Sequence, residues 1–116
     1  MKIERELMRG AGPIAVLSLL SSGEMYGYEL VKALSQRTDG VLDLGQSTLY
    51  PMLYNLEAKG LVASRVDEGG ARPRKYYRLT GKGKKRLAGD TKQWNALAKA
   101  LGQLGVGTPG VAGGGA

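Results

Sequence analysis

The stretch from Ser47 to Thr80, STLYPMLYNLEAKGLVASRVDEGGARPRKYYRLT, changes its hydrophobic period halfway, and that change decides the fold. From Thr48 the apolar residues Leu49, Met52, Leu53 and Leu56 fall on one helical face, and Gly60 follows where a left-handed stop is expected. Ser47 stands where an N-cap is expected. At about 100° per residue, Ser47, Pro51, Tyr54 and Ala58 point away from the leucine face, flanked by Thr48, Tyr50 and Asn55. Leu61 to Val66 then alternates like a strand, Asp67 to Pro73 reads as a turn, and Arg74 to Thr80 reads as a second strand. Tyr76 and Tyr77 face opposite sides of it, so at least one belongs to the core.

Working outward from this helix and hairpin, Tyr26 to Arg37 carries Leu30, Val31 and Leu34 at helical spacing and stops at Thr38-Asp39-Gly40. Val41 to Leu44 is a brief strand or an extended connection. Upstream, Ile14, Val16, Leu17, Leu19 and Leu20 form a helix that should open at Pro13, since proline suits a first turn and breaks a running helix. Ile3 to Arg9 is then a separate turn or the far side of a bend. Downstream, a helix is expected from about Lys82 to Leu104, with Leu87, Trp94 and Leu101 seven apart and Leu97 and Leu104 between them. Such a stripe suits a dimer seam or packing back onto the same domain. Asp90 takes one of its inner positions.

The order helix, helix, helix, hairpin is that of a winged helix-turn-helix, whose third helix enters the major groove. The expected fold is therefore mainly α with a small β-hairpin. A winged helix-turn-helix should occupy residues 1–80, a C-terminal dimerisation helix 81–104 and a disordered tail 105–116, the last from its Gly-rich, uncharged composition.

Composition narrows function. At 116 residues the chain suits one domain with an added element. It has no cysteine and no histidine, which removes thiolate and imidazole metal sites, disulfides and Cys- or Ser-His nucleophiles. Its ten acidic residues are scattered, so no enzyme activity, metal or cofactor is expected. No apolar run approaches a membrane span, and Met1 to Arg9 mixes charges with apolar residues unlike a signal peptide, so a cytoplasmic protein without membrane contact is expected. The net charge is +7, and residues 65–86 alone hold nine basic residues against Asp67 and Glu68, which accounts for all of it. A basic stripe on a neutral body suits a polyanion, because each neutralised phosphate releases condensed counterions.

Three segments resemble the PadR family of bacterial transcriptional regulators, in its short form with one C-terminal helix. They are Tyr26-Gly27-Tyr28-Glu29-Leu30, then Ser47-Thr48-Leu49-Tyr50-Pro51 with Leu56-Glu57-Ala58-Lys59-Gly60-Leu61-Val62, and Arg74-Lys75-Tyr76-Tyr77-Arg78-Leu79-Thr80. The resemblance covers about residues 3–104. It implies a homodimeric repressor in which the C-terminal helices exchange contacts between subunits and two winged heads read a near-palindromic operator on double-stranded DNA.

Position and chemistry then suggest the contacts. Ser47 and Thr48 suit a phosphate at a helix N-terminus, or serve as caps. Tyr50, Tyr54 and Asn55 can meet sugar or base edges, with packing on the second helix the alternative for Tyr50. Arg72, Arg74 and Lys75 can reach phosphate or the minor groove from the wing. Lys82, Lys84, Lys85 and Arg86 can extend that track. Trp94, Leu97 and Leu101 either line a site for a small planar or phenolic effector near the dimer axis or simply pack the dimer. A winged-helix module that docks a protein partner is the alternative function, since fold alone does not settle it. RNA binding ranks lower, because no exposed aromatic sheet is expected.

Overall fold

A computed structural model of the chain describes residues 1–107. Its first helix starts earlier than Pro13: α1 runs without a break over Arg5–Leu20, with the proline inside it. The expected break fails because the missing bond costs little at this place. Pro13 cannot donate to the Arg9 carbonyl, but Arg9 and Gly10 are exposed, where water can take the donor's place. Val16, Leu17 and Leu20 of α1 are buried.

Two elements follow. The strand β1 is only Met25–Tyr26, and α2 spans Gly27–Arg37 directly after it. The Glu29 carboxylate accepts from the Tyr26 N–H at 3.1 Å, which satisfies one donor at the start of α2. Residues 38–42 then turn and 43–45 have no regular structure, so the short strand considered over Val41 to Leu44 is an irregular connection.

The helix α3 spans Gln46–Ala58 and buries Leu49, Leu53 and Leu56, as its period requires. Gly60 closes it at φ 75°, donating to the Glu57 carbonyl at 2.9 Å while Leu61 N–H donates to Leu56 at 3.0 Å. This reversal drives Leu61 and Val62 into the core and starts the hairpin.

The hairpin comprises β2, Val62–Asp67, and β3, Arg74–Leu79. Val62 lies opposite Leu79, Ser64 opposite Tyr77 and Asp67 opposite Arg74. The β1 strand adds to the other edge of β3, with Met25 opposite Tyr77 and Tyr26 opposite Tyr76, giving an antiparallel sheet in the order β1-β3-β2. Alternation sends Val62 and Tyr77 into the core and leaves Arg65, Tyr76 and Arg78 on the open face.

The last helix, α4, spans Gly81–Gln103. Its N-cap Thr80 accepts from Gly83 N–H at 2.9 Å and donates to the Gly60 carbonyl at 2.7 Å, stitching the end of α3 to the start of α4. Gly83 lies so close to Leu61 that any Cβ would overlap the Leu61 carbonyl oxygen. Leu87 still packs on the core, but from Thr91 to Leu101 every residue is exposed. Residues 105–107 have no regular structure, and 108–116, most of the expected tail, lie outside the described residues. No helix among the described residues is long and apolar enough to cross a membrane.

Candidate nucleic-acid interface

The exposed side of α3 carries Ser47, Pro51, Tyr54 and Ala58 in one row, all open to solvent. Tyr54 is the most exposed aromatic of the group, at 74%. Pro51 cannot donate to the Ser47 carbonyl, so that acceptor stays without its helical partner on the open side. Ser47 is not the N-cap. Gly45 takes that place in an extended conformation, and its carbonyl accepts from Thr48 and Leu49 N–H at 3.1 and 3.0 Å. With a glycine cap, no side chain covers the first-turn amides, and the Ser47 hydroxyl stands inside that turn.

The flanking residues diverge. The Tyr50 ring lies against Gly27 at the start of α2, where an added Cβ would come 2.5 Å from Tyr50 Cε1. Packing on the second helix therefore fixes one side of Tyr50 and leaves the ring half-exposed. Asn55 is exposed and borders a groove of about 540 Å³ between α1, α3 and α4, lined also by Pro13, Met52 and Arg86. Thr48 borders a second groove, formed with the N-terminal segment and the α2–α3 connection. Ser47 and Tyr54 thus share the open side, Thr48 and Asn55 are exposed beside the two grooves, and Tyr50 alone of the flanking three packs on α2.

The wing residues separate in the same way. Arg72 sits exposed at the tip and makes no ion pair among the described residues. Asp67 accepts from Gly69 N–H at 2.9 Å and shapes that turn. Arg74 stacks on Tyr26 at 4.7 Å on the open face of the sheet. Lys75 lies on the other face, 3.7 Å from the Glu57 carboxylate and 5.5 Å from the centre of the Tyr77 ring.

Three of the nine basic residues in 65–86 are paired: Arg65 with Glu24 at 2.5 Å, Lys75 with Glu57, and Arg86 with Asp90 at 3.2 Å. Lys82 donates to the Lys59 carbonyl at 2.8 Å and so caps the end of α3. Arg72, Arg74, Arg78, Lys84 and Lys85 remain exposed and form no ion pair among the described residues. The hydrogen bond from Arg65 holds the Glu24 carboxyl below its ordinary range, and the same bond raises Arg65. Burial pushes the Tyr77 phenol up, so it stays a neutral core residue.

On α4, Trp94, Leu97 and Leu101 lie on one uncovered stripe, 45%, 52% and 38% exposed, and neither groove includes them. The open face of the sheet differs from expectation, for it does display aromatics. Tyr26 and Tyr76 meet edge to face at 5.5 Å there, half-buried under Arg74 and Arg65. Sequence reasoning also passed over Glu24 and Glu57. The available signal was that Glu57 is the one acidic residue in an otherwise uncharged helix.

Comparison with known proteins agrees with this geometry. The family model of the transcriptional regulator PadR-like family matches residues 16–89. A crystal structure of a PadR family transcriptional regulator from Eggerthella lenta is 42% identical, covers 85% of each chain and superposes with a TM-score of 0.77. A transcriptional regulator of Mycobacterium tuberculosis is 34% identical over 95 residues, 82% of this chain and 86% of that protein. The Bacillus subtilis PadR structure, solved in complex with operator DNA, is 29% identical over 67% of this chain and 45% of that one, with a TM-score of 0.62.

Proposed function

The chain belongs to the PadR-like family of transcriptional regulators, and on that premise we propose that it binds duplex DNA as a homodimer and represses from a near-palindromic operator. The observation that carries this reading is electrostatic. The full net charge of +7 lies on the wing and the start of α4, next to a helix whose open side has no acidic residue. Arg72, Arg74, Lys84 and Lys85 serve as phosphate contacts, with Lys75 available if it leaves Glu57. The first turn of α3, with Ser47 and Thr48, takes a phosphate, and Tyr54 and the open part of Tyr50 approach sugar or base edges. Asn55, exposed at the edge of the α1–α3–α4 groove, is open to the same contacts. The likeness to a regulator crystallised on operator DNA supports this arrangement.

The exposed stripe of Trp94, Leu97, Leu101 and Leu104 supports dimerisation through α4. A small planar or phenolic effector stacking at Trp94 in that interface would release the DNA. Such a repressor acts in the cytoplasm.

Fluorescence anisotropy with the duplex upstream of the gene, against a scrambled duplex, tests the reading. Two heads making about six phosphate contacts should lose roughly a thousandfold in affinity between 50 and 200 mM salt. Equal, weak binding to both duplexes would contradict it and leave docking of a protein partner as the account of the winged helix.

A further inference from the structure

Two carboxylates lie inside the most basic part of the molecule, where they would repel a polyanion. Each instead grips the wing. On the open face, Glu24 receives both Nε and a terminal nitrogen of Arg65, at 3.0 and 2.5 Å. Arg65 in turn lies 4.7 Å over Tyr76, Tyr76 meets Tyr26 edge-on, and Arg74 caps Tyr26 at 4.7 Å. The array ties the chain just before α2 to both strands of the hairpin. On the opposite face, Glu57 of α3 accepts from the Ser64 hydroxyl and pairs with Lys75 at 3.7 Å, again holding β2 and β3 together.

Ser64 and Arg65 are neighbours on β2, so their side chains leave opposite faces at the same point along the hairpin. The two carboxylates therefore clamp the wing at its middle. Beyond that point Val66, Glu68 and Arg72 are exposed, so a small rotation at the clamp becomes a larger displacement of the tip.

We infer that Glu24 and Glu57 are positioning residues that fix the angle of the wing to α3 from its two faces. The consequence for DNA rests on the function proposed above, whereas the clamp itself does not. Field and positioning predict opposite signs. Replacing both by glutamine removes two negative charges from a chain of net +7, which by field alone tightens binding to every duplex.

The test uses full-length Glu24→Gln, Glu57→Gln and the double variant. Hydrogen exchange without DNA comes first. The double variant should exchange about two- to fivefold faster between Val66 and Lys75, the size expected for exposed charge pairs, with α1 unchanged. Unchanged exchange in the hairpin, or equal acceleration in α1, would overturn the clamp whatever the DNA result. Anisotropy follows. The double variant should bind the preferred duplex about two- to fivefold more weakly, the scrambled duplex no more weakly, and show a salt slope no shallower than the wild type's, because no phosphate contact is lost while Arg65 and Lys75 are released. Equal tightening on both duplexes would overturn the positioning role. A wild type that prefers neither duplex would refute the DNA reading instead, leaving the exchange result to decide the clamp.

Discussion

The third and fourth helices carry the same kind of apolar stripe and meet opposite fates. In α3, Leu49 and Leu53 are fully buried and Leu56 is 4% exposed, in one core cluster with residues of α1, α2 and the sheet. In the distal half of α4, Trp94, Leu97 and Leu101 keep 38–52% of their surface, and nothing among the described residues covers them. Periodicity reports that a helix is amphipathic; it does not say whether its partner lies in the same chain. Full burial of such a side chain is worth about 1.5–3 kcal/mol, of which these half-exposed residues forgo roughly half each, so the uncovered stripe is where a second copy has most to gain.

The sharpest contrast is between two leucines. Leu53→Ala in α3 should cost about 2–5 kcal/mol of stability in urea unfolding, through lost burial and the cavity left behind. Leu97→Ala should change the stability of the isolated chain by under about 0.5 kcal/mol while shifting subunit dissociation to higher protein concentration. If Leu97→Ala cost as much as Leu53→Ala independently of concentration, α4 would pack on its own domain in solution and the contrast would fail.

A smaller effect divides α4 itself. Gly83→Ala at the stitched end must move the Leu61 carbonyl or the helix, and should destabilise by about 1–3 kcal/mol. Gly89→Ala, two turns on, meets nothing within 4 Å and should stabilise by about 0.5–1 kcal/mol through helix propensity. Thermal unfolding of the two variants reads both signs. A loss at Gly89 matching that at Gly83 would mean that the tightly packed part of α4 extends further than Leu87.

The sequence was informative where one physical signal dominated. The leucine period of α3, the left-handed stop at Gly60 and the alternation of the hairpin all matched the structure, because local geometry alone sets them. The proline rule failed at Pro13 because the orphaned Arg9 carbonyl is on the exposed side, which no local pattern announces. The β1 strand was illegible for another reason: two residues have no period, and only pairing with β3, about fifty residues later, makes them a strand. The same distance hid the pairing of charges. Counting Arg65 and Lys75 as basic was correct, but their partners Glu24 and Glu57 come from other elements, so which cations stay open appeared only in three dimensions. Asn55 sits on the flank of α3 that its spacing predicts, yet the presence of α4 makes that flank a groove.

Sedimentation of the full chain on the duplex upstream of its gene tests the central claim most directly, because it counts protomers and detects the complex together. The account predicts two chains per duplex at low salt, no complex with the scrambled duplex, and a free protein that is itself a dimer. One chain per duplex from a monomeric protein, or no complex with either duplex, would contradict it.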